Sequence, residues 1–325
     1  MHRPQPRLLI GVCTRQRNVL LRRLIDSISA QPAPAGYDVG ILVIDNNDDP
    51  VARDALVGLS GPFPVTVVHE PRAGLVHARN RALNEAAARG ADWFIGVDDD
   101  EWVAQDWLAR FIDGMETLGR SILIAPCRYV YDDGLSRFLQ PIQLPSKPRG
   151  ARPVVMASSN FALHCRVFDP AYGPGLRFHP AYNESGGEDL EFFLRAERAC
   201  GWVPAALPDA VAFEDWKGPR ATLGYRLRRS WRTQLAAFQV ARHHRRLGFT
   251  SSGGGHVMRM FLQLNRHVVF GAASLMAGLA LLLFWPRKGR HLIGAGLERG
   301  ARVLAVLPFL LGRLPVAYGP RASAQ

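Results

Sequence analysis

Leu8 to Cys13 is an unbroken apolar run, and the period then changes: Leu20, Leu21, Leu24, Ile25 and Ile28 recur at helical spacing as far as Ala30, with Asn18 placed to cap the helix. The same exchange of patterns continues through residue 126. Val39–Ile44 and Val65–His69 predict strands, Leu75–Arg89 a helix, Asp92–Val97 a strand, Ala104–Leu118 a helix and Ser121–Ala125 a further strand. Strands that are apolar throughout and separated by helices predict an α/β fold, a mostly parallel sheet flanked by helices. In such sheets ligands lie at the carboxyl ends of the strands. Thr14 follows the first predicted strand, Asp45-Asn46 the second, Glu70 the third and Asp98-Asp99-Asp100-Glu101 the fourth.

Beyond residue 130 the pattern loosens. Residues 131–155 are rich in Pro, Gly, Arg and Lys and predict a long loop. Val154–Leu163 follows, then a second loop holding Tyr172, Gly173 and Gly175, and Gly186-Gly187 opens a helix from about Glu188 to Cys200. A basic helix runs roughly from Arg220 to Leu247, a Gly-rich break covers Ser251–Gly255, and the end of the chain is apolar and basic.

Composition narrows the class. The 325 residues are 48% hydrophobic and 21% charged, which fits a globular core and excludes wholesale disorder. Cys13, Cys127, Cys165 and Cys200 are widely spaced with no C-x-x-C pair, against a zinc module or a secreted disulfide framework. The first apolar run is six residues long and Arg15 and Arg17 follow at once, so no cleaved signal peptide is expected. Charge is segregated: from Trp216 onward 18 Lys and Arg face Glu298 alone, a balance of +17, which leaves the rest of this +12 chain at −5.

Val268 to Trp285 is eighteen residues without a charge, at the lower edge of the roughly 17–25 residues that span a bilayer. Arg259 and Arg266 precede it, and Arg287, Lys288 and Arg290 follow, so a single span would leave one basic cluster outside. The next apolar run, Val303–Gly312, is broken by Pro308. A re-entrant or interfacial pair of helices meeting anionic lipid headgroups is the expectation. A nucleic-acid-binding tail would keep basic and polar residues throughout, so that reading is the weaker one.

Four consecutive acids at a strand end repel one another. A hard divalent cation gives a reason to gather them, because Mg²⁺ or Mn²⁺ takes one or two carboxylates together with diphosphate oxygens. The competing reading is a solvated acidic turn. Glu188 and Asp189 form a second acidic pair, although acids are common in the first turn of a helix, and Glu191 with Arg195 is ordinary i,i+4 pairing. Asp45 could accept from a base or ribose, or cap the Asp48–Leu59 segment. Arg79 could contact a base or phosphate, or lie on a solvated helix face with Arg81 and Arg89. Thr14 and Arg17 occupy the first strand-to-helix turn, where backbone N–H groups meet a nucleotide. His77, His164 and His179 lack metal-ligand spacing and read as structural or surface residues.

Taken in order, Val12-Cys13-Thr14-Arg15-Gln16-Arg17, Leu42-Val43-Ile44-Asp45-Asn46, Gly74 through Ala78-Arg79-Asn80, Asp98–Glu101, Ser159-Asn160-Phe161-Ala162 and Gly187-Glu188-Asp189-Leu190-Glu191-Phe192 resemble the motifs of family 2 glycosyltransferases with the GT-A nucleotide-sugar-binding fold. The likeness runs from Leu8 to about Tyr225 and is strongest toward bacterial enzymes that build exopolysaccharide or other envelope glycans. It implies a nucleotide-sugar-binding half at 1–130 and an acceptor-binding and catalytic half at 131–225, while the residues of 226–325 themselves predict a basic helical, membrane-associating region. It further implies an inverting, metal-dependent transfer from a nucleoside-diphosphate sugar, UDP by family habit, to a lipid-linked or glycan acceptor at the cytoplasmic face of a bacterial inner membrane.

The family's D-x-D maps onto Asp98 and Asp100. The resemblance implies that Asp100 binds Mg²⁺ or Mn²⁺ directly, while Asp98 faces the ribose or reaches the metal through water; the frame Asp99-Asp100-Glu101 stays open. Asp99 and Glu101 are expected to point away, as alternate side chains of an extended segment do. Thr14, Arg17, Asp45, Arg79, Asp98 and Asp99 form the donor-binding set, Asp189 is the implied general base, and Glu188 orients the acceptor. Two departures stand out. Val211–Trp216 has no histidine where relatives often carry a further metal ligand, which leaves Glu214 as a substitute. The Q-x-x-R-W signature of processive synthases is missing, Arg228-Arg229-Ser230-Trp231 being a distant echo, so one sugar per encounter is expected. A catalytically silent nucleotide-sugar-binding scaffold is the rival, and the intact carboxylates argue against it.

Overall fold

A computed structural model of the chain describes residues 5–142, 145, 147–248 and 255–311. The strand and helix exchange read from the sequence is present, with β5 and β7 in addition: β1 (Arg7–Thr14), α1 (Asn18–Ser29), β2 (Asp38–Asp45), β3 (Val65–His69), α2 (Leu75–Ala88), β4 (Trp93–Asp98), β5 (Glu101–Val103), α3 (Trp107–Thr117), β6 (Ile122–Ile124) and β7 (Cys127–Tyr131). The described residues of 132–155 form no helix or strand, as their composition predicts, and of the Val154–Leu163 segment only the part from Asn160 is strand. Then come β8 (Asn160–His164), α4 (Cys165–Phe168), α5 (Glu188–Cys200), β9 (Ala205–Ala206) and β10 (Ala212–Trp216). The remainder is helical: α6 (Leu223–Arg246), α7 (Gly255–Leu281), α8 (Pro286–Leu304) and α9 (Val306–Leu310). The described residues divide into two compact units, one drawn from those within 1–128, 144–183 and 188–215, the other from those within 129–143, 184–187 and 216–325.

The first unit is built on a seven-stranded sheet in the order β3-β2-β1-β4-β8-β6-β9. β1 pairs parallel with both β2 and β4, and β2 pairs parallel with β3. Side chains alternate between two cores. Leu8, Ile10 and Val12 pack with Leu21, Leu24 and Ile25 of α1 and Trp107 and Phe111 of α3, while Leu9, Leu42 and Ile44 pack with Val76 and Leu83 of α2 and Phe192 and Phe193 of α5. Layers of helix on each side explain why these strands are apolar throughout.

Three features lie outside or against the sequence reading. β8 enters between β4 and β6, antiparallel to both. Parallel pairing needs a crossover that returns the chain to the strand's starting edge, and the irregular stretch before β8 supplies no helix to make one. Residues 101–103 form β5, which pairs antiparallel with β10, so α3 begins at Trp107 rather than Ala104. Asn18 is the first residue of α1, not its cap; its Nδ2 donates to the Val51 carbonyl at 3.3 Å. The four cysteines are unpaired with one another, as their spacing implies.

In the second unit α7 and α8 form an antiparallel hairpin in which Gly278 lies against Gly289 and Gly271 against Gly296. α8 also packs on α6, where Arg226 Nη2 meets Glu298 Oε1 at 2.9 Å and Ser230 Oγ meets Glu298 Oε2 at 3.5 Å. The uncharged run from Val268 is helical to Leu281, and the rest of it forms the turn into α8. Leu264–Leu281, with a mean hydropathy of 1.3, is long and apolar enough to cross a membrane by length and composition, which is compatible with membrane association. Pro308 falls inside the short α9, and of the Gly-rich break only Gly255 lies within the described residues.

Buried Asn160 ties the sheet unit together. Its Nδ2 donates to the carbonyls of Pro126 (3.0 Å) and Ala210 (2.8 Å), and its Oδ1 accepts from Trp107 Nε1 at 3.0 Å. Asn160→Leu, close in volume, leaves the buried Trp107 indole N–H and the Ala210 carbonyl unmet, while the Pro126 carbonyl keeps its bond from Ala212 N. Chemical denaturation is expected to show a loss of about 3 kcal/mol or more; an unchanged midpoint would show that other groups satisfy them.

Candidate active site

Strand register brings the chemistry-bearing residues together. Thr14 lies opposite Asp45 across β1 and β2, and Cys13 opposite Asp98 across β1 and β4. The chain leaves β1 toward β2 on one side and β4 lies on the other, so these carboxyl ends flank the point where strand order reverses, the usual ligand crevice of open α/β sheets.

Asp98 ends β4, Asp99 and Asp100 form a turn, and Glu101 opens β5. Because the backbone turns there, the alternation expected of an extended segment fails at Asp99. Its buried carboxylate accepts from Thr14 Oγ1 at 2.8 Å and from Arg17 Nη1 at 2.8 Å, and the same Nη1 reaches Asp100 Oδ2 at 3.0 Å. Glu101 is buried in β5, opposite Glu214 of β10 in the strand register. The Cys127 thiol donates to its carboxylate, while its Oε2 has no hydrogen-bond partner. Burial, then the charges of Asp98, Glu214 and Asp100, push the Glu101 carboxyl well above the ordinary range.

Arg79 is not on a solvated face. It is buried, its Nη1 donating to Glu188 Oε1 at 2.6 Å and its Nη2 to Asp98 Oδ1 at 3.2 Å. It thereby joins two acidic motifs 90 residues apart in the chain. The start of its helix is fixed by side chains of the sheet's edge. Asn46 Nδ2 donates to the carbonyls of Glu70 (2.7 Å) and Arg72 (2.8 Å), its Oδ1 accepts from Gly74 N (2.9 Å), and Asn183 Oδ1 accepts from Val76 N (3.1 Å). Gly74 has φ 130°, and a Cβ there would collide with Asn183, so the position requires glycine.

Asp45 is fully buried and both its oxygens accept from its own loop: Oδ1 from Asn47 N (3.1 Å) and Asn47 Nδ2 (2.6 Å), Oδ2 from Ala52 N (2.7 Å). This is the local capping role weighed against a nucleotide contact. Asp189 accepts at Oδ1 from Leu190 N at 2.7 Å in the first turn of α5, after Gly186 and Gly187 at φ 75° and 90°. Glu191 and Arg195 form the i,i+4 pair read from the sequence, at 2.8 Å.

Crowding sets the proton affinities. Burial pushes the Asp98 carboxyl up to about 7, with Arg79 opposing and Asp100 and Asp99 reinforcing the rise. Burial, aided by Glu188 and opposed by Arg79, pushes Asp189 up to about 6. Asp99 is raised mainly by burial, against the pull of Arg17. These are hard carboxylate donors carrying more negative charge than their neighbours neutralise, which fits Mg²⁺ or Mn²⁺. Among the described residues no three His, Cys, Asp or Glu side chains gather as a metal cage; magnesium sites built from one or two carboxylates and substrate phosphates do not need one.

Arg23 carried no signal in the sequence, since it sits beside Arg22 on a helix otherwise read for its apolar face. Its guanidinium stacks 4.2 Å from the Trp102 ring, meets Asp215 Oδ2 at 2.6 Å and donates to the Asp100 carbonyl at 3.1 Å. It therefore pins the backbone of the acidic turn.

The chain resembles known proteins in sequence and fold. The description "Glycosyl transferase family 2" matches residues 9–170. The succinoglycan biosynthesis protein ExoM of Rhizobium meliloti (strain 1021) is 30% identical over 319 residues, covering 96% of each chain. Among solved structures, the mannosyltransferase PcManGT from Pyrobaculum calidifontis in complex with GDP-Man and Mn²⁺ shares the fold at TM-score 0.55, with 18% identity over 92% of this chain and 87% of that one. S. aureus TarS 1-349 in complex with UDP-GlcNAc does so at TM-score 0.50, with 12% identity over 94% and 92%.

Arg79→Met removes the cation and leaves Asp98 and Glu188 facing each other. The expected loss is about 3 kcal/mol at pH 8, the usual scale for stranding a buried charge. Without the cation that opposes its rise, the Asp98 carboxyl shifts further up, so the unfolded state releases this proton before the folded one as pH rises. The loss should shrink toward pH 5. Denaturation of wild type and variant at both pH values measures it, and a loss independent of pH would contradict the electrostatic reading.

Proposed function

The chain belongs to glycosyl transferase family 2 and is a glycosyltransferase of the GT-A fold, and on that premise we propose that it transfers a sugar, with inversion, from a nucleoside diphosphate to a lipid-linked or glycan acceptor during exopolysaccharide synthesis. The observation that carries this reading is the Arg79 bridge, which sets the acidic turn after β4 beside the acidic start of α5. One motif supplies a place for a diphosphate and the other a base. The relative whose name assigns it to succinoglycan biosynthesis supports the polymer class. UDP is the proposed nucleotide, with GDP its competitor.

Asp100 and Asp98 would hold Mg²⁺ or Mn²⁺, which as a Lewis acid neutralises the departing diphosphate. Thr14 and Arg17 sit at the nucleotide end of the crevice and keep Asp99 and Asp100 in place. Arg79 holds Asp98, and Asp45 shapes the loop after β2 that lines the base side. Asp189 accepts the proton of the acceptor hydroxyl as it attacks the anomeric carbon. With its carboxyl near 6 it is ionised at neutral pH yet more basic than an ordinary aspartate. Glu188, fixed by Arg79, orients the acceptor. A single displacement assisted by one base inverts the anomeric centre.

Asp189→Asn is expected to abolish transfer while leaving intact the rise in melting temperature that nucleotide sugar gives with Mn²⁺. Full transfer by that variant would refute the base assignment. Hydrolysis of donor by the wild type with Mn²⁺ or Mg²⁺ separates an enzyme from a silent scaffold.

The rate of wild-type transfer should fall as pH drops through about 6, where Asp189 takes up a proton. Glu188→Gln removes a neighbouring negative charge and should move that midpoint lower. A midpoint that stays put would assign the titration to another group.

A further inference from the structure

We propose that the α7–α8 hairpin beds in an anionic lipid bilayer, with α7 lying in the plane of one leaflet as the face against the acyl chains. The hairpin is inside out for water. Helices that pair in water bury large apolar side chains and turn polar ones outward. Here the seam is glycine on glycine, Gly271 against Gly296 and Gly278 against Gly289, and a Cβ at Gly278, Gly289 or Gly296 would collide with the facing helix. The large apolar side chains face outward instead: Val269 is 62% exposed, Met276 66%, Leu279 61% and Leu283 86%, and the turn adds Phe284 at 74% and Trp285 at 62%. Val269 and Met276, seven residues apart, share one face of α7, and exposed Leu283 continues the apolar surface into the turn. Close backbone packing through small residues with bulky apolar groups outside is how helices associate when the surrounding medium is lipid.

Charge selects the lipid. Arg266 stands at one end of the exposed stripe and exposed Arg287 and Lys288 follow Trp285 at the other, with no charge between Arg266 and Arg287. An aromatic pair beside cations is the composition of a membrane–water interface. Glu298, the acid of this part of the sequence, is already engaged by Arg226 and Ser230, so no uncompensated acid opposes a negative surface. α8 carries Arg290, Arg299 and Arg302 and packs against basic α6, so its side of the hairpin cannot enter hydrocarbon. α7 therefore lies on the bilayer rather than crossing it.

Flotation of the full chain tests this with phosphatidylcholine vesicles, with and without phosphatidylglycerol. Wild type should float with the anionic vesicles and lose binding as salt rises to about 0.5 M. Met276→Glu with Leu279→Glu should stay at the bottom with both vesicle types. Arg287→Gln with Lys288→Gln should weaken binding to anionic vesicles about tenfold or more and leave the weak neutral binding unchanged. Trp285 should be quenched by brominated acyl chains, read as the difference from Trp285→Phe because the chain has seven tryptophans. Both double variants should keep donor hydrolysis and nucleotide-sugar stabilisation, which separates this inference from the transfer reaction and confirms folding. Wild type that fails to float, or a Met276/Leu279 variant that floats like wild type, overturns the proposal. So does a dimer in solution that the Met276/Leu279 variant converts to monomer without any vesicle binding, which would assign the face to a second copy.

Discussion

Carboxylates at the edge of this sheet are packed more densely than low-dielectric surroundings tolerate, and the guanidinium of Arg79 makes the arrangement stable. It donates to Asp98 at the end of β4 and to Glu188 at the start of α5. Desolvation would push both the cation and its partners toward neutrality, but two anions raise the arginine's affinity for its proton, so the ion stays charged. Everything that fixes α2 serves this contact. Asn46 and Asn183 satisfy the loop and first turn of the helix, and Gly74 allows the chain to enter it at an angle closed to other residues.

The acids then divide into two groups. Asp99 and Asp100 share Arg17, with Thr14 adding a hydroxyl to Asp99, so that pair is held by neutralisation. Asp98 and Asp189 are left near the limit of ionisation, at about 7 and about 6. A carboxylate in that state gains most from an arriving positive charge or proton, which is the property a cation site and a base each need. Arg23 acts on a different coordinate, the backbone of Asp100, so the turn's position does not depend on charge balance alone.

Much of this was legible in the chain. β3 matches its sequence reading residue for residue, and β1, β2 and α2 lie within one or two residues of theirs, because their apolar periods are long and uninterrupted. The acidic motifs were recognisable from residue type. What periodicity could not supply was direction. The same Arg79 suits a solvated face or a buried bridge, and tertiary placement chose the bridge. Asp45 suits a ligand contact or a loop cap, and its oxygens are met by Asn47 and Ala52. Asp99 was misdirected by assuming extended backbone where a turn occurs, and the direction of β8 was not readable because no local feature of Asn160–His164 encodes whether a strand runs with or against its neighbours. Arg23 left no trace because its three partners are contributed by Trp102, Asp215 and Asp100, remote in sequence.

Segregation of charge follows from the two jobs. In the sheet unit, bulky side chains such as Phe111, Phe192 and Phe193 fill the space between layers and acids crowd the strand ends, the arrangement of a domain folded in water around a site for cationic charge. The α7–α8 hairpin reverses both rules, with glycine inside and the tail's single acid locked in an ion pair with Arg226. Had the −5 and the +17 been mixed along the chain, acids would meet any anionic surface the helices approach, and free cations would compete with metal for Asp98 and Asp100. Under the two proposals above, keeping them apart in sequence would let a single polypeptide attract a divalent ion at one site and a negative surface at another. The composition break at Trp216 coincides with a boundary between the two compact units.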